Sequence, residues 1–150
     1  MAMSESGLIP GEPRERIPLA RILMATVGAI GAAIVANVIV FFIGDAAGAF
    51  PDDYRFSPPG GGETGMGVGN VIFSTITFLA IAGIVFAIIS RVSGRPVRIF
   101  LYVAAVALVL SFFQPFTLPD PPGSMIAFLL LMHVVAAVVG VLVLLRLAVR

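Results

Sequence analysis

The chain has 150 residues, 59% of them hydrophobic and 11% charged, which lies far outside the composition of a soluble domain. It contains no cysteine, so disulfides, thiol redox chemistry, cysteine nucleophiles and palmitoyl anchors are excluded. One histidine leaves too few ligands for a protein-built zinc or haem site, and a net charge of +1 gives no footprint for nucleic acid. No cofactor is expected, and the lipid bilayer is the first partner the composition implies.

Residues 1–16 hold Pro10, Gly11 and Pro13 among mixed charges and read as a short flexible tail. The apolar run that follows, about 17–43, is roughly twice as long as a signal-peptide core, so it is expected to be an uncleaved first helix. Thr26, Ala29, Ala33 and Asn37 form a stripe along it at helical spacing, and Gly28, Gly31, Ala32 and Ala36 add small residues that invite close neighbours.

Residues 44–68 form the longest loop, where Pro58-Pro59-Gly60-Gly61-Gly62 excludes helix and central strand. Gly65, Gly67 and Gly69 alternate, but no strand precedes them, so they do not make a phosphate loop. Asp52-Asp53 lacks the spaced oxygen ligands of a calcium loop.

The second helix is expected at about 69–90, with Asn70, Ser74 and Thr77 on one face. A basic turn with Arg91, Arg95 and Arg98 leads to a third helix at about 98–116, whose stripe is Ala104, Ala107, Ser111 and Gln114. Pro115 has no N–H to donate to the Ser111 carbonyl, so regular helix fails there. The fourth helix, about 124–147, crosses the membrane with one histidine inside it. His133 shares its face with Ala136, Ala137 and Gly140, a small-residue strip that looks toward other helices and not toward lipid.

Eight of the nine arginines lie in the N-terminal region, the second loop and the C-terminus, whereas the first and third loops hold five of the eight acids. Arginine-rich short loops stay in the cytoplasm, so the expected architecture is an all-α, up-down-up-down bundle of four transmembrane helices with both termini cytoplasmic. No internal repeat is visible, which gives no support to an inverted-repeat transporter.

In that arrangement Asn37, Ser74, Thr77, Ser111, Gln114 and His133 fall at similar depth, in the half of the bundle nearer the acidic loops. They admit two readings. They are hydrogen-bonding glue between helices, or they line a polar pocket in which His133 is the titratable group. Catalysis finds little support, since Ser74 or Ser111 beside His133 lacks an orienting carboxylate and an oxyanion hole. A channel finds none, because the other half of the bundle has no polar lining.

The third and fourth helices, Phe112 to Pro119, then Met132-His133-Val134-Val135-Ala136-Ala137 closing on Leu144-Leu145-Arg146, resemble an uncharacterised family of small four-helix bacterial integral membrane proteins that carries only a domain-of-unknown-function label. The resemblance implies the four-helix fold, a multi-pass place in the bacterial cytoplasmic membrane, and a signature position at His133. It implies no activity. The first functional expectation is therefore a non-enzymatic helix-packing protein, an accessory subunit or a homo-oligomer, with Gly28, Ala32, Ala36, Ala136 and Gly140 as packing positions. The alternative is an outward-facing carrier or sensor for a small polar or lipid-like molecule near His133.

Overall fold

The computed structural model describes residues 17–57 and 61–150. The expected tail at 1–16, and Pro58, Pro59 and Gly60 of the long loop, lie outside the described residues.

Four α-helices follow one another: α1 (Leu19–Ala46), α2 (Val68–Val92), α3 (Pro96–Ser111) and α4 (Gly123–Val149). A 3₁₀ turn, Gln114–Thr117, continues the line of α3, and with it each helix is long and apolar enough to cross a bilayer. Length and apolarity together make the chain a multi-pass membrane protein built as a four-helix bundle.

Local chemistry sets the ends. α1 stops where Gly48 takes φ 71, and the Gly48 and Ala49 amides close onto the Asp45 and Gly44 carbonyls at 2.9 Å each. A left-handed glycine just past the last turn does this without a Cβ penalty. α3 starts on Pro96, whose missing N–H would be unpaired at a first helical position anyway. α3 ends at Ser111, ahead of Pro115, and the chain tightens to the 3₁₀ turn before a bend at Asp120, φ 42.

α1 is the hub. Its glycines and threonine meet α2 and α4 at close quarters: Gly83 of α2 sits against the Thr26 side chain, and Gly28 sits against Leu147 of α4, where a Cβ would come within 2.8 Å. Gly44 is pressed by Phe50 and Phe128 in the same way, at 2.7 and 2.8 Å. α2 and α4 touch directly at Leu79 and Gly140. Small residues let backbones approach, and here the approach is between helices of one chain.

The core divides into two clusters. Ile22, Ala25, Ala29, Phe86, Phe100, Leu144 and Ala148 fill the end that carries the arginines. Phe41, Ala49, Phe50, Val71, Met125 and Met132 fill the end that carries the long loop, where the Phe41 and Phe50 rings stack with centroids 5.0 Å apart. α3 barely joins either. Phe100 is its one buried residue, held by the Phe86 ring at 4.9 Å. So α1, α2 and α4 make a close-packed trio, and α3 is anchored at one end and stands off at the other.

Candidate functional site

The standing-off of α3 opens a cleft of about 530 Å³ between it and the faces of α2 and α4. α3 contributes Ala104, Ala107, Leu108 and Ser111, then Gln114 from the 3₁₀ turn. Across from it stand Ser74, Thr75, Phe78, Leu79 and Ala82 of α2, and Met132, His133, Ala136, Ala137 and Val141 of α4. Asn37 reaches the cleft from α1, and Phe56, Gly61, Met66 and Leu118 approach from the loops. Small side chains at Ala104, Ala107, Ala136 and Ala137 leave room between the α3 and α4 walls.

Polarity is graded along it. From Ala104 to Gln114 is ten residues along α3 and into the turn that continues it, about 15 Å at helical rise. Ser111, Gln114, His133, Ser74 and Asn70 cluster at the loop end, while Ala82, Ala104 and Val141 line the other.

His133 is held at both nitrogens. Nδ1 lies 2.6 Å from the Leu129 carbonyl and Nε2 lies 3.1 Å from Oε1 of the Gln114 side-chain amide. A carbonyl only accepts, so Nδ1 carries the proton and donates to it. A ring with one proton then has a bare Nε2, and Gln114 satisfies it by turning its amide to donate an N–H. This contact is the polar tie between α3 and α4 beyond the point where α3 leaves the trio.

The second tie is buried. Asn37, 4% exposed, donates from Nδ2 to Thr75 Oγ1 at 3.1 Å, and Thr75 donates onward to the Val71 carbonyl at 2.7 Å. Asn37 Oδ1 has no hydrogen-bond partner among the described residues. An acceptor left so costs about 1–3 kcal/mol, so Asn37 stabilises less than its burial suggests.

Five of the six expected pocket residues therefore line one cleft: Asn37, Ser74, Ser111, Gln114 and His133. Thr77 does not. It is exposed, its hydroxyl bonded to the Phe73 carbonyl at 2.9 Å. Thr75 stands in its place, on the buried line Val71, Thr75, Leu79, Gly83. The expected stripe followed the polar residues Asn70, Ser74 and Thr77. α2 instead turns inward the face whose glycine permits contact with α1, and Gly83 spaced eight residues from Thr75 is the signal that marks it.

Of the expected packing positions, Gly28 and Gly140 meet Leu147 and Leu79 of the same chain. Ala32 and Ala36 are half-buried on α1, and Ala136 is half-buried on the cleft wall.

The loops cover the polar end. Phe56 and Thr64 pair through two backbone hydrogen bonds of 3.0 and 2.9 Å, and the Tyr54 hydroxyl donates to the Pro119 carbonyl at 2.9 Å. That bond ties the first loop to the third. Burial raises the Tyr54 phenol above its ordinary pKa, and the nearby Asp120 charge adds to the rise. A second hollow, at the turn between α2 and α3, is a shallow surface depression lined by Arg95, Pro96, Val97, Arg98 and Leu101.

Among the described residues, no group of three or more His, Cys, Asp or Glu side chains is placed to hold a metal. With no carboxylate on the cleft wall, His133 has no acid–base partner there. The bundle thus presents neither a catalytic constellation nor a metal-binding one among those residues.

Residues 18–150 match a family described as a family of unknown function (DUF6069). No curated protein and no solved structure matches the chain.

Proposed function

We propose that this chain, which belongs to the DUF6069 family of unknown function, is a non-enzymatic membrane protein that holds a small amphiphilic molecule in the cleft between α2, α3 and α4. One observation carries this: the cleft is graded from a polar end at His133, Gln114 and Ser111 to an apolar end at Ala104 and Val141. Binding sites for small molecules are concave, mostly apolar, and carry a few converging polar groups. In the carrier or sensor this describes, His133 and Gln114 hold the polar head.

The topology that goes with it is up-down-up-down. Arg21, Arg91, Arg95, Arg98 and Arg146 sit at the cytoplasmic end, and Asp45, Asp52, Asp53 and Asp120 outside. Both termini are then cytoplasmic, the membrane is a bacterial cytoplasmic membrane, and the polar end of the cleft faces outward.

A second reading, an accessory or self-associating helix-packing protein, is supported by the way α1 packs closely on both α2 and α4 while α3 keeps nearly its whole surface free. Against it, Gly28 and Gly140 are already used within the chain, which leaves fewer small residues for a partner helix.

Extraction of the native protein in mild detergent, followed by mass spectrometry of the intact species, separates the two. The cleft reading expects one small molecule per chain, lost in Ala107→Phe, which fills the void from the loosely packed helix. Stoichiometric partner subunits and no bound molecule would replace it with the packing reading.

A further inference from the structure

Donors and acceptors in the cleft are out of balance, and the imbalance specifies what an occupant must bring. Ser74 spends its hydroxyl proton on the Asn70 carbonyl, and Ser111 spends its own on Leu108 at 2.7 Å. Thr75 does the same with Val71. A hydroxyl whose proton turns back into its own helix offers only lone pairs to the space beside it. With the Gln114 amide turned so that one N–H serves His133 Nε2, its oxygen is free to accept and its second N–H is free to donate. Acceptors therefore outnumber donors at the polar end, and among the described residues no arginine or lysine lines the cleft.

Size limits the occupant from the other direction. The cleft offers about 530 Å³, room for one flexible chain along its length.

Resting on the reading of the cleft as a binding site, we infer that its ligand is a single-chain amphiphile whose uncharged head donates hydrogen bonds, an alcohol or a phenol. A carboxylate or phosphate head would bring a charge to a place with no counter-charge. A ketone or ether head could take only the free N–H of Gln114 and would leave the serine oxygens facing acceptors. The hydroxyl donates to Ser111 Oγ and the Gln114 amide oxygen, and the chain runs between Ala104, Ala107 and Ala137 toward Val141.

The test uses three probes of equal chain length, 1-dodecanol, dodecanoate and dodecyl methyl ether, titrated into the full-length protein in lipid nanodiscs and read as bound mass. Dodecanol is expected to bind at one per chain, at least tenfold tighter than either of the others. The variant Ser111→Ala is expected to weaken dodecanol at least fivefold and leave the ether unchanged. Equal binding of all three, blocked by Ala107→Phe, would overturn the donor-head assignment while leaving the cleft reading in place. Binding of none, or binding that Ala107→Phe does not alter, would overturn both.

Discussion

Asn37 and Thr75 form a buried polar pair in which one residue depends on the other. Thr75→Val keeps the shape but removes the oxygen that receives the Asn37 amide, so both ends of that amide become unpaired. Unfolding in detergent should then show a loss of about 1–3 kcal/mol. Asn37→Leu together with Thr75→Val removes donor and acceptor at once, and should recover most of that loss. A double variant as unstable as the single one would mean that shape and not hydrogen bonding governs the site. Tyr54 makes a residue-scale prediction outside the membrane. Its phenol is raised by burial and by Asp120, and only the protonated form donates to Pro119. Because the folded-state value lies above the unfolded one near 10, the tie is fully present below that pH and is lost as pH rises through the raised value. Alkaline titration of loop mobility should therefore show a transition above about pH 10 that Tyr54→Phe abolishes. An unchanged transition in that variant would assign it to another group.

At the scale of the element, the glycines of α1, α2 and α4 decide which faces meet. Gly83 lies against a threonine that is branched at Cβ and tied to the Ile22 carbonyl at 2.8 Å, so it cannot swing aside. Gly83→Ala is expected to destabilise the bundle by about 1–3 kcal/mol through overpacking. Gly31 has open space around its missing Cβ, so Gly31→Ala should be neutral or stabilise by up to about 1 kcal/mol. Denaturant titrations of both variants check the contrast, and equal effects would contradict the packing described. The same elements explain what sequence alone could and could not say. The helices were legible because length and apolarity suffice in a bilayer, and the depth of Asn37, Ser74, Ser111, Gln114 and His133 followed from counting along them. The facing of α2 was not legible. A membrane helix is apolar all round, so the contrast that marks the inner face of a soluble helix is missing, and the polar stripe through Thr77 gave no sign that Thr75 is the buried threonine. Gly28 and Gly140 advertised close contact without naming the partner, which proved to lie within the chain. The standing-off of α3 left no trace that spacing could reveal, because an apolar helix gives no sign of which neighbours it meets.

Across the whole molecule, a trio of packed helices supports a fourth that is fixed at the arginine end by Phe100 and tied at the other by the contact between Gln114 and His133. That construction keeps a space open between α3 and the trio, with its polar end under the two tied loops. Orientation in the membrane is checked simply, because the chain has no cysteine of its own. An impermeant maleimide applied to intact cells should label Asp53→Cys and leave Arg95→Cys unlabelled, and the reverse pattern would invert the topology. The most direct test of the central claim is an experimental structure of the protein in lipid nanodiscs. The account predicts elongated density between α3 and α4, its head beside Ser111 and Gln114 and its tail passing Ala107 and Ala137. If α3 instead packs its alanines directly onto α2 and α4 and closes the space, the cleft is no binding site and the proposed function falls with it.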